Sequence, residues 1–208
     1  MAGITDLLNS DLGRQIIGGV SSEAGTSEQD TTSVLGMALP ILTGAMQKNA
    51  SSPEGAASLL GALSGDKHSG GVLDNLGGFF GGGVNQEDEA DGAGILGHIL
   101  GGKQSTVENA ISRKSGINSG TVSKIIKIAA PILMGYLGKQ ARQQNVNSAD
   151  GVSGLLSSLM GSQANKNQSL VTSLLDSDGD GSVIDDIAGM ALGNKEGGGG
   201  LLGGLFGK

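Results

Sequence analysis

Three observations in the 208-residue sequence predict an all-α protein made of two homologous helical units. Apolar residues recur at three- and four-residue steps, as in Ile16, Ile17 and Val20, then Val34, Leu35, Met37, Ala38, Ile41, Leu42, Ala45 and Met46, the spacing of an amphipathic helix. Aromatic residues are confined to Phe79, Phe80, Tyr136 and Phe206, so a core must be assembled from Leu, Ile, Val, Ala and Met. That suits helical layers better than strands, which favour aromatic and β-branched residues. Finally, the sequence repeats itself: ALPILTGAMQK (38–48) aligns with AAPILMGYLGK (129–139), pairing Pro40 with Pro131, Gly44 with Gly135 and Lys48 with Lys139.

The register of the repeat extends in both directions. Upstream, Ile16, Val20, Ser21, Gly25 and Val34 fall on Val107, Ile111, Ser112, Gly116 and Ile125. Downstream, NASSPEGAASLLGALSG (49–65) aligns with NVNSADGVSGLLSSLMG (145–161), and GVLDNLGGFFGG (71–82) with SVIDDIAGMALG (182–193). Residues 1–82 therefore form the first unit and residues 95–194 the second, with 83–94 as an acidic, glycine-containing linker and 195–208 as a flexible glycine-rich tail.

Within each unit the elements announce themselves. Pro40 and Pro131 lie inside long apolar helices, where each removes a backbone hydrogen bond and predicts a kink. Ser51 or Ser52 is an N-cap followed by Pro53 in the first turn and Glu54 near the positive helix end; Ser148 and Asp150 repeat that start signal. The forty glycines follow no three-residue period, which excludes collagen.

Composition also bounds function. The absence of cysteine excludes disulfides and thiolate metal sites. The N-terminus MAGITDLLNSDLGRQ lacks a basic start and a long apolar run, so a cytoplasmic location is the default, with non-classical export left open. The most apolar stretch, IIKIAAPILMGYLG (125–138), is short and carries Lys127, so no membrane span is expected. A net charge of −7 argues against wholesale nucleic-acid binding, yet from Lys103 to Arg142 there are seven basic residues and one acid, Glu108.

The stretch DGAGILGHILGGKQSTVENAISRKSGINSGTVSKIIKIAAPILMGYLGKQ (91–140) resembles the bacterial "domain of unknown function 937" family. The shared features are the GILGHI segment, a V-x-x-x-I-S…G pattern, the A-P-I-L-M-G helix and an aspartate-rich stretch before the C-terminal helix. Related YidB-like proteins are described as homeodomain-like, so the resemblance implies an all-α fold and a nucleic-acid connection. It carries no catalytic residues.

Two segments point to chemistry. In LLDSDGDGSVIDD (174–186), Asp176, Asp178 and Asp180 occupy the first, third and fifth positions of a calcium loop, Gly181 the sixth and Ser182 the seventh, where a backbone carbonyl serves. The twelfth position is Ile187 rather than glutamate, so Asp185 or Asp186 would have to close a shortened loop. The competing reading is a solvated turn with Ser182 and Asp185 as a capping box. The first unit has only GDKHSGG (65–71) at this place, with a single acid, so the hairpin does not require three alternating carboxylates.

The second segment, ISRKSGINSGTVSKI (111–125), has helix-turn-helix spacing at Ser112, Gly116, Ile117, Val122 and Ile125, with Arg113, Lys114, Lys124 and Lys127 as a basic face. The competing reading is a helical corner that serves only the packing of the core. For catalysis the inventory is thin: His98 lies in an apolar segment and reads as a packing residue, and no phosphate-binding loop or nucleophile elbow is present. The sequence thus predicts a non-enzymatic calcium-binding protein that acts through a protein partner or self-association, with nucleic-acid binding as the alternative.

Overall fold

The computed structural model describes residues 4–65 and 70–160, and these fold as helices, with no strand among them. In chain order the α-helices are α1 (Ile4–Asn9), α2 (Asp11–Ala24), α3 (Glu28–Asn49), α4 (Pro53–Ser64), α5 (Gly71–Asp74), α6 (Leu76–Gly81), α7 (Gln86–Leu100), α8 (Gln104–Ser115), α9 (Ser119–Gln143) and α10 (Ala149–Met160). A short 3₁₀ turn, Gly101–Lys103, joins α7 to α8.

Side-chain caps set the starts of these helices. Ser10, Ser27, Ser52, Asn85 and Asn118 each accept a hydrogen bond from a backbone N–H in the first turn of the helix that follows. Ser148 does the same for Gly151 in α10. Glycine sets two of the ends: Gly25 and Gly116 cap α2 and α8 in the left-handed region, at φ 67° and 75°, and each N–H returns to a serine carbonyl, Ser21 or Ser112.

The long helix α9 is the centre of the fold. It packs against α7, α3, α8, α2, α5 and α4, and fifteen of its residues are buried. By length and composition α9 could cross a membrane, but 72% of its most apolar stretch is buried inside the protein, as befits a core helix. Both α3 and α9 run unbroken through Pro40 and Pro131. In α3 the Thr43 hydroxyl, fully buried, donates to the Leu39 carbonyl at 2.8 Å.

Segments that align in sequence occupy matching helices. Residues 11–24 and 104–115 form α2 and α8, 28–49 and 119–143 form α3 and α9, and 53–64 and 149–160 form α4 and α10. The helices of the two halves contribute to one continuous hydrophobic cluster, with α3 against α9 and α4 beside α10.

The acidic stretch within 83–94 is not an extended connection: from Gln86 onward it is the first half of α7. Asn85 caps it by accepting from the Asp88 N–H at 2.9 Å, and Glu87, Asp88 and Glu89 stand in the first turn, where the helix dipole favours negative charge. Gly92 then lets α7 approach α9 so closely that a Cβ at this position would lie 2.0 Å from the Lys127 carbonyl oxygen. The glycine that suggested a linker is a contact residue of a helix pair.

Candidate functional site

An open groove of about 740 Å³ lies between α4 and α7. Met46 of α3, Ile95 and Ile99 of α7, and Met134 of α9 supply its apolar floor. The walls are thin: Gly55, Ser58 and Ala62 on α4 face Ala90 and Gly94 on α7. Lys48, Asn49, Asp91 and His98 bring polar groups to the lining. Asn49 also ties the two walls' supports together, its Nδ2 donating to the carbonyls of His98 at 3.2 Å and Ile99 at 3.1 Å.

His98 is exposed rather than packed. The helical period of α7 gives the inward positions to Ile95, Leu96, Ile99 and Leu100, so Gly97 and His98 turn outward. Sequence reasoning missed the groove. Its signal was small residues four apart, Ala90 and Gly94, followed by His98 at the same spacing on one helix face.

The basic segment forms a corner of two helices. After α8 ends at Gly116, the Ser112 hydroxyl donates to the Ile117 carbonyl at 2.6 Å, and Ile117 N–H donates to Ser115 Oγ at 3.2 Å, drawing the turn tight before Asn118 starts α9. Ile111, Val122 and Ile125 are buried beneath the corner, with Ile117 partly buried against it. Arg113 and Lys114, in the last turn of α8, and Lys124, near the start of α9, are exposed; Lys127 is half-buried where α7 crosses. Between the helices, Glu108 accepts from Ser123 Oγ at 3.0 Å and from Gln104 Nε2 at 2.8 Å. From Ile128 to Gly138 every residue of α9 is buried, so a partner can meet the helix only near its two ends.

Asp176, Asp178, Asp180, Ser182, Asp185 and Asp186 lie outside the described residues, as does the glycine-rich tail. Among the described residues no three His, Asp or Glu side chains converge as a metal site. What is described is the matching turn of the first half. Gly70, aligned with Gly181, is left-handed at φ 101° and leads directly into α5. There Asp74 accepts from Lys139 Nζ at 2.8 Å.

Tyr136 of α9 is the one described group with a clearly displaced titration. Burial first, and then the charge of Asp6, push its phenol above the usual range. It is a packing residue of the core and does not line the groove.

Residues 6–140 match the family described as bacterial protein of unknown function (DUF937). The chain belongs to this family. The match runs from within α1 through most of α9 and spans the corner and every lining residue of the groove. In this DUF937 protein α10 and the aspartate-rich segment lie beyond the matched span. No curated protein and no solved structure matches the chain.

Proposed function

We propose that this DUF937 protein is a non-enzymatic, calcium-binding helical module that acts by interaction or assembly, with calcium held by the loop around Asp176, Asp178 and Asp180. The observation that carries this reading is the left-handed turn at Gly70. A calcium loop of the D-x-D-x-D-G type needs a glycine at its sixth place for the sharp turn within the loop. Gly70 has such a backbone and a helix directly after it, and its aligned partner Gly181 is the sixth residue of the loop. Three carboxylates at alternating positions repel one another, and a divalent cation removes that cost.

Calorimetric titration of the full chain with calcium tests the reading. Binding heat is expected, together with a rise in melting temperature. A ligand at one hundred times its Kd adds about 2.7 kcal/mol, which for a chain of this size corresponds to roughly 5–10 °C. The Asp176→Ala/Asp178→Ala/Asp180→Ala variant should show neither. A wild-type protein with no heat and an unchanged melting curve at millimolar calcium sinks the proposal.

A second reading, nucleic-acid binding, is supported by the exposed Arg113, Lys114 and Lys124 around the tight α8–α9 corner. Each phosphate contact steepens the dependence of log K on log salt by about 0.9 on a duplex. Neutralising the three residues together should make that slope shallower by up to about 2.7. Wild-type protein that gives no salt-dependent anisotropy change with a labelled duplex removes this reading.

A further inference from the structure

In the first half of the chain, α5 and α6 lie against α9 and α2. The α5 contact is specific. A Cβ built on Gly135 of α9 would come within ordinary van der Waals contact of Gly70 and of the buried Leu73, and one turn on, Lys139 bonds Asp74 at 2.8 Å. The helix matching α9 is α3, where Gly44 stands for Gly135 and Lys48 for Lys139.

On α3 that place is uncovered. Among the described residues nothing approaches within 4 Å of a Cβ built on Gly44, and Lys48 is exposed. Met37, Gly44 and Gln47 are only half-buried, with Gln47 Nε2 donating to Ser157 Oγ of α10 at 2.9 Å, whereas their counterparts Ile128, Gly135 and Gly138 are buried. The difference marks a face that α9 has covered and α3 does not.

We propose that residues 182–193 dock on this face of α3 and on α8, as α5 and α6 dock on α9 and α2, with Ile184 on Gly44 and Asp185 paired with Lys48. Five observations support this occupant. Residues 182–193 align without a gap with 71–82, which places Ile184 on Leu73 and Asp185 on Asp74. The charges are complementary, since an acid recurs at the one position that meets the exposed lysine.

Volumes change together as well. Gly19 of α2 lies so close to Phe80 of α6 that a Cβ there would be 2.3 Å from the ring. In the other half the buried Ala110 stands for Gly19 and Ala191 for Phe80, so a gain of one methyl on the helix accompanies the loss of the ring that would strike it. The cap repeats too: Asn75 accepts from the Gly78 N–H at 3.1 Å, and Asp186 and Gly189 keep that spacing. The chain is long enough, because α10 ends at Met160 and residues 161–181 offer a longer connection than residues 65–70 provide after α4.

The docking takes Asp185 to Lys48 and leaves Asp186, whose second carboxylate oxygen is not needed for the cap, as the acid that would close a calcium loop; it does not depend on the calcium reading. The protein has no cysteine, so cysteine pairs report proximity cleanly. In the full chain, Lys48→Cys/Asp185→Cys is treated with a short bismaleimide, once with calcium and once with a chelator, beside the reference pair Lys139→Cys/Asp74→Cys. An intramolecular crosslink within threefold of the reference yield in either condition supports the docking; a lower yield in both overturns it. Gly44→Leu, added to the first pair, places a branched side chain where Ile184 would rest and should cut the yield at least threefold. A yield that Gly44→Leu leaves unchanged overturns the placement on α3.

Discussion

Gly92→Ala is expected to destabilise the protein by about 3 kcal/mol, at the upper end of the usual cost of overpacking, and to lower its melting temperature by roughly 6–12 °C. The pairing of α7 with α9 is the most extensive helix contact among the described residues. At Gly92 the two backbones approach so closely that an added Cβ would sit 2.0 Å from the Lys127 carbonyl oxygen and 2.9 Å from its carbon. The obstacle is backbone rather than the end of a side chain, so no rotamer change relieves it and one helix must move. Gly94 supplies the control. It lies two residues on in the same helix, is exposed, and has nothing within 4 Å of its own Cβ position among the described residues. Gly94→Ala should therefore stabilise α7 by up to about 1 kcal/mol, the ordinary helix preference for alanine over glycine. Thermal melts of the two variants decide the matter, and equal melting temperatures would refute the close crossing.

The same pair of glycines shows where the sequence could be read and where it could not. Caps and apolar spacing are local signals, and Ser52, Pro53, Ser148, Val34 and Ile125 could be placed from neighbours within one or two turns. The tight corner at Gly116 was legible for the same reason, since Ser112 and Ile117 act within five residues of each other. The stretch 83–94 was not. Its glycines and acids have the composition of a linker, and what makes it helical is a cap at Asn85 together with a partner, Lys127, thirty-five residues beyond Gly92. The groove was hidden similarly, because its floor draws on α3, α7 and α9 and no single segment carries its pattern. His98 read as a packing residue from its apolar neighbours; its outward direction follows only once Leu96 and Ile99 are known to be the buried positions of α7.

Leu137→Ala is expected to cost about 2–5 kcal/mol, through the lost transfer energy of the removed atoms and the cavity left behind. Leu137 has no exposed surface and lies on α9, which is hemmed in by α7, α3, α8 and α2, so its surroundings have little room to collapse into the void. The position it aligns with on α3 is Met46, which is also in the core and only 1% exposed. An unbranched side chain of similar volume thus fills the corresponding site of the matching helix. Leu137→Met should for that reason cost less than about 1.5 kcal/mol, as volume-conserving swaps do. Urea unfolding of the two variants separates volume from side-chain shape. A Leu137→Met protein as unstable as Leu137→Ala would mean that α9 has a shape requirement α3 lacks, and that the two central helices, despite their shared A-x-P-I-L-x-G pattern around Pro40 and Pro131, are not packed on common terms.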